Sequence, residues 1–299
     1  MTFVWCLLVT ISIGICFKLF GRWKVNIFNA IVINYTVCIL LGSFLDPDGF
    51  FPFSPQNIHT PWFKFDILLG ILFISGFNLT AIAIQKAGIT LTTMMQRMSL
   101  ITTVSFTVVV FHERFGWLAF SGVLLALMAI IAINQGGPGL SFQKPGKNTP
   151  LLFLVLLLSS AIEIILFYVE KSGLVGNQQM AFTTHGFGCA AIIGWIIIGW
   201  CWIKRRSNIA QKDLFAGILL GIPNYFSIYL MLVMLNQGWK GSVMYPMLNV
   251  SVLLLSTIIA VLAFREKLNR LNWIGIGLAT LSILTIAYAQ NEDTWKITF

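Results

Sequence analysis

The sequence predicts an all-α integral membrane protein of about ten transmembrane helices in two inverted five-helix repeats. Three observations predict it. The composition is too apolar for a water-facing surface, the apolar residues fall into runs of bilayer length, and a sequence repeat returns after five of those runs.

Composition excludes the soluble classes. Of 299 residues, 58% are hydrophobic and 10% are charged, where a soluble domain carries about 25% charged residues. So few charges cannot cover a soluble surface, so most of this one must face lipid. A net charge of +9 would suit nucleic acid in a soluble protein. Here the basic residues sit in short loops between apolar runs, as membrane orientation requires. The expected partner is therefore the lipid bilayer and not nucleic acid. Cys6, Cys16, Cys38, Cys189 and Cys201 lie in or beside apolar runs and form no CxxC or Cys/His cluster. They read as small packing residues.

A bilayer core of about 30 Å needs roughly 20 residues of helix. Ten runs approach or exceed that length: 2–20, 27–45, 66–86, 89–111, 115–134, 151–170, 178–202, 214–236, 241–264 and 271–289. We call them spans 1 to 10. They are too long and too continuously apolar for barrel strands, so helices must do the spanning. Span 1 has no basic residue before it and no small-x-small cleavage site, so it reads as a helix and not a signal peptide. The breaks carry turn or charge signals, such as Gly21-Arg22 and Gly238-Trp239-Lys240. Residues 46–65 hold four prolines and read as an interfacial loop; residues 135–150, with Gly136, Gly137, Pro138, Pro145 and Pro150, read as a linker. The domain reading is 1–134, linker 135–150, and 151–299. Loops after odd-numbered spans hold 13 Lys and Arg against 5 on the other side. The odd loops should therefore be cytoplasmic and both termini extracytoplasmic.

The repeat has an offset of 153 residues. Phe111-His112-Glu113-Arg114, then Phe120, Gly122, Leu125 and Ala126, matches Phe264-Arg265-Glu266-Lys267, then Trp273, Gly275, Leu278 and Ala279. Gly88 and Gly241 share that offset, while Asp66, Gly70 and Ile71 match Asp213, Gly217 and Ile218 at 147. A charged turn with aromatic and glycine spacing kept beyond it points to duplication. Five helices is an odd number, so the second copy enters the membrane with opposite polarity.

These residues, together with Tyr245-Pro246-Met247-Leu248-Asn249 and Asn272-Trp273-Ile274-Gly275-Ile276-Gly277, resemble the EamA-type branch of the drug/metabolite transporter superfamily. The resemblance covers nearly the whole chain and is strongest in spans 3–5 and 8–10. It implies a ten-helix fold around a central cavity, lined chiefly by spans 3, 4, 8 and 9 with parts of 1 and 6. It also implies a secondary transporter of small metabolites in a bacterial inner membrane, with export of amino-acid-like compounds as one form. The first half departs from the family pattern, since Thr93-Met94-Met95-Gln96-Arg97 stands where many relatives have an early proline. A channel or receptor, or a membrane-embedded enzyme, is the alternative. The enzyme reading lacks any nucleophile–base or metal spacing, so none is expected. No P-loop, Rossmann fingerprint or HExxH occurs, and neither a cofactor nor a metal is expected.

Polar groups inside the membrane are costly, and each needs a reason. Arg97 lies about eight residues into span 4. It offers a positive charge to an anionic substrate group or a carboxylate, or it snorkels to the interface. Glu163, well inside span 6, can carry a coupling proton, pair with Arg97, or be a water-bound structural group. Asn78, Gln96, Asn224, Tyr225 and Asn249 lie on the four spans the resemblance assigns to the cavity and are the further substrate-binding candidates. The Asn and Gln side chains have helix-to-helix bonding as their alternative role. His185 reads as a packing and hydrogen-bonding residue. Glu113 and Glu266, each at a turn beside cations, are expected to organise the turn or meet the next helix N-terminus. Protons and a small-molecule substrate complete the expected partners.

Overall fold

A computed structural model of the chain describes residues 1–46, 59–87, 89–134, 148–204, 209–264 and 269–295. Most of the 46–65 loop, most of the 135–150 linker, Gly88 and Glu266 lie outside the described residues. Eleven helices are described: α1 (Thr2–Trp23), α2 (Ile27–Leu45), α3 (Phe63–Ala87), α4 (Ile89–Arg97), α5 (Leu100–Phe111), α6 (Trp117–Asn134), α7 (Thr149–Lys171), α8 (Gln179–Ile203), α9 (Gln211–Asn236), α10 (Gly241–Phe264) and α11 (Arg270–Trp295). Ten stretches are long and apolar enough to cross a membrane by length and composition, with Leu91–Phe111 counted as one. The chain is thus a helical protein of the multi-pass membrane type. Its exposed large side chains are accordingly apolar: Leu40, Phe44, Trp117, Ile196 and Leu262 are each more than half exposed, which a lipid-facing surface permits.

Nine of the spans match single helices with ends shifted by a few residues, but span 4 does not. The expected unbroken run 89–111 is two helices, α4 and α5, parted at Met98-Ser99. Neither proline nor glycine breaks it. At the break the backbone ladder tightens: the Ser99 N–H donates to the Gln96 carbonyl at 3.3 Å and the Ile101 N–H to the Met98 carbonyl at 3.1 Å, three residues back where an α-helix reaches four.

The chain forms two compact units, each drawing on both halves of the sequence: residues 1–81 with 165–237, and residues 82–164 with 238–299. In the first, α2 packs on α9 and α8, and α1 on α9. Gly217 sits where an added Cβ would fall 2.6 Å from Ile33, and at Gly70 it would fall 2.5 Å from Cys189. Pro223 deprives α9 of one backbone hydrogen bond. Carbonyls in that turn meet thiols of neighbouring helices: Leu219 O lies 3.9 Å from Cys16 Sγ and Gly221 O 3.3 Å from Cys38 Sγ. The irregularity is packed over by Cys16 and Cys38, which are buried like Cys6, whereas Cys189 and Cys201 are partly exposed.

In the second unit α6 packs on α11, and α10 touches α5, α6 and α11. A Cβ at Gly122 would fall 2.5 Å from Ile286, and one at Gly275 2.6 Å from Ile133. Ser282 donates to the Gly122 carbonyl at 2.7 Å, and the Asn272 amide to the Ile133 carbonyl at 2.7 Å. Glu113 follows His112, whose backbone is left-handed at φ 50°. Its carboxylate accepts from the backbone N–H groups of Gly241 and Ser242, both at 2.8 Å. The expected helix-terminus role is therefore right in kind but wrong in partner. Glu113 caps α10 in the other sequence half, because the N–H groups at the α10 start are the unsatisfied donors within reach.

Candidate functional site

The densest polar cluster of the second unit forms around the α4–α5 break. α4 ends at Arg97, whose Nη1 donates to Asn249 Oδ1 at 2.6 Å. Asn249 also hydrogen-bonds Glu163, which interacts electrostatically with Arg97. Glu163 Oε2 further accepts from Thr103 at 2.6 Å and Ser99 at 3.1 Å. The Tyr245 hydroxyl donates to the Glu163 backbone carbonyl at 2.9 Å. Behind these, the Thr102 and Ser160 hydroxyls are 2.5 Å apart. Asn249 thus bridges a cation and an anion from two other helices.

The cluster's parts differ in cover. Ser99, Thr103, Ser160, Tyr245 and Asn249 are buried. Arg97 and Glu163 are half-buried and keep part of their surface open. A guanidinium has five N–H donors, more than Asn249 can use. The arrangement can therefore present positive charge and directed donors to an anionic group, with a carboxylate nearby for a cationic one.

The sequence-stated candidates fall in different places. Arg97, Asn249 and Glu163 come together, with Gln96 directly before Arg97 at the end of α4. Asn224 and Tyr225 belong to the first unit. Asn224 Nδ2 donates to Asn34 Oδ1 at 3.2 Å, and the Tyr225 and Thr184 hydroxyls are 3.4 Å apart. Asn78 turns back on its own helix, donating to the Ile74 carbonyl at 2.8 Å. The residues that sequence reading missed are Ser99, Thr102, Thr103 and Ser160. Their signal was helical spacing: Ser99 and Thr103 are four apart and Ser160 and Glu163 three apart, so each pair shares a helix face.

A second buried polar pair lies in the first unit. His185 Nδ1 is 3.1 Å from Asp66 Oδ2, with the side chains 3% and 0% exposed. Cys189 Sγ lies 3.8 Å from the same nitrogen. Asp213, 147 residues on, accepts from the backbone of Asn26 at 2.8 Å, the backbone of Ala210 at 3.2 Å and the side chain of Asn29 at 3.2 Å. Among the described residues no three His, Cys, Asp or Glu side chains form a metal-binding group.

No protein-family model matches the chain. It is similar to an uncharacterized protein of Haemophilus influenzae, 27% identical over 296 residues, which span 95% of this chain and 97% of that one. A crystal structure of another protein shares its fold, with a TM-score of 0.75 over 97% of this chain and 96% of its own, at 14% identity.

Proposed function

We propose that the chain is a secondary transporter that carries small zwitterionic or anionic metabolites across a membrane by alternating access. The observation that carries this reading is the Arg97–Asn249–Glu163 network at the interruption of a membrane span. An Arg inside a membrane span needs water, a counter-charge or a ligand. Broken spans beside polar groups are where transporters hold substrate. The EamA-type resemblance agrees with it, and so does an inverted repeat.

Three pairs of contacts support that repeat. Gly122 meets Ile286 while Gly275 meets Ile133, and both glycines and both isoleucines are 153 residues apart. Gly70 meets Cys189 while Gly217 meets Ile33. Asp66 meets His185 while Asp213 meets Asn29. In these last two pairs the first members are 147 apart and the second members 156 apart. Contacts that exchange in this way are what a two-fold operation between the copies would produce. With five spans per copy, such an axis would lie in the membrane plane and give one sequence two related packings, open to either side.

In this reading Arg97 binds the anionic end of the substrate, and Asn249 and Gln96 help to orient it. Glu163 carries a coupling proton, and the chain performs no chemistry on its cargo. The membrane is a bacterial inner membrane, with odd-numbered loops cytoplasmic. A metabolite-wide uptake and counterflow screen in proteoliposomes, with and without an imposed proton gradient, tests it. A carrier exchanges labelled for unlabelled substrate. Flux without exchange would make the chain a channel, and an altered substrate would make it an enzyme. Orientation is tested by single cysteines: a probe in 204–212 should react from the cytoplasm and one in 48–58 from outside.

A further inference from the structure

The transport reading gives no role to Asp66 and His185, yet they are a deeply buried pair of titratable groups in the first unit. The repeat supplies an internal comparison. Asp213 occupies the matching place at the start of α9, and its donors among the described residues are groups that do not titrate: two backbone N–H groups and the Asn29 amide. Both of its oxygens are occupied. Asp66 has His185 where Asp213 has Asn29. Its second oxygen, Oδ1, has no hydrogen-bond partner among the described residues.

The surroundings of Asp66 are apolar. The Trp62 and Phe63 rings lie 5.6 and 5.1 Å from the imidazole, centroid to centroid. Gly186 leaves no side chain over the bare oxygen, since a Cβ there would stand 3.3 Å from Oδ1. Neighbouring titratable and charged groups are occupied elsewhere or uncharged. Lys64 on α3 lies over the Phe65 ring, 5.4 Å from its centroid. On α7, Glu170 accepts from Gln179 and Asn236, and Lys171 donates to the Leu235 carbonyl. The Tyr35 ring of α2 packs on Phe73 and Phe187, and Cys189 on α8 offers a thiol.

A carboxylate with one uncompensated oxygen among aromatic rings carries a large desolvation cost, and so does a lone imidazolium. The pair escapes both costs by holding one proton more than the carboxylate and neutral imidazole together have. That proton makes either a carboxylic acid beside a neutral ring or a carboxylate beside an imidazolium. Both arrangements have zero net charge, whereas adding or removing a proton leaves a net charge in an apolar pocket.

We propose that Asp66 and His185 form a proton-binding site, holding one shared proton while the pocket is sealed and exchanging it when water reaches the pair. Asp213 with Asn29 is the same architecture with the proton-binding partner removed. The site is separate from Glu163 and does not depend on what the chain transports.

Infrared and NMR titrations of the full chain in lipid nanodiscs, with no substrate present, test this. The chain has three histidines, so ¹⁵N-labelled imidazole signals can be assigned with His185→Asn. In the wild type, a carboxylic-acid band or an imidazolium signal should persist to neutral pH and above. The Asp66→Asn variant should lose one bound proton per chain at that pH. Its His185 signal should titrate at a proton concentration changed by about tenfold or more, one unit of pKa. His185→Asn recreates the Asn29 arrangement and should alter the proton affinity of Asp66 similarly while the fold is kept. Asp213→Asn and Glu163→Gln should leave the Asp66 and His185 signals in place. Identical His185 titration in the wild type and Asp66→Asn, or an unchanged count of bound protons, would overturn the proposal. Because no transport is measured, that result would leave the carrier reading standing.

Discussion

The Arg97 cluster and the Asn34–Asn224 pair solve one problem in opposite ways. Both place polar side chains deep in membrane spans, where an unsatisfied group is costly. Asn34 and Asn224 are neutral and buried, and they bond to each other across two helices. Even the proline one residue away, Pro223, has its neighbouring carbonyls covered by thiols. Arg97 and Glu163 are ionisable, keep part of their surface open, and stand beside the α4–α5 break. The difference separates polar groups that hold helices together from polar groups poised for something outside the chain. The first kind closes its own hydrogen bonds; the second keeps surplus donors.

Substitutions can break or sharpen that contrast. The largest effect is expected at Arg97. Arg97→Gln keeps an amide for Asn249 but removes the charge. A hydrogen bond to a charged group contributes about 1.5–3 kcal/mol, so affinity for an anionic or zwitterionic substrate should fall about 10- to 100-fold. The melting temperature should barely move. Equal affinity in binding assays on purified protein would put Arg97 with the structural groups.

Gly221→Leu should do the reverse. A Cβ there would fall 2.6 Å from Val37, and overpacking costs about 1–3 kcal/mol. Thermal unfolding should shift downward while substrate affinity in the surviving protein is kept. An unshifted transition would mean that α2 and α9 are less tightly packed than their contact implies.

Glu163→Gln keeps a group that can accept from Ser99 and Thr103 but cannot ionise. Proton-driven accumulation should be lost while substrate exchange continues, as read by parallel uptake and counterflow. Loss of both would assign Glu163 to binding and not to coupling. The smallest effect is expected at Asn224→Ala, about 0.6 kcal/mol for one interhelical hydrogen bond, with transport unchanged. A large transport defect there would erase the contrast.

Much of the fold was legible because bilayer thickness acts on length and composition, which a sequence displays directly. The apolar runs located ten spans, and the shared place of Arg97 and Glu163 followed from the cost of burying each. The α4–α5 break was not legible. The step at Met98-Ser99 holds neither proline nor glycine, and the same residues inside an unbroken helix would look identical in sequence. Asn249 was a candidate, but its bridging role depends on the register between α4, α7 and α10, which local patterns do not encode. Asp66 and His185 are 119 positions apart. The former showed only as a mark of the repeat, and the latter only as a packing and hydrogen-bonding residue with no partner named.

Glu113 gives the second unit a mechanical character. By gripping the first two N–H groups of α10, it pins the turn after α5 to the start of a helix from the other half. Asn249 lies eight residues beyond Gly241, about 12 Å along that helix, with Pro246 between them. The clasp at Glu113 therefore anchors the same helix that carries Asn249 to Arg97, about two turns from its fastened end.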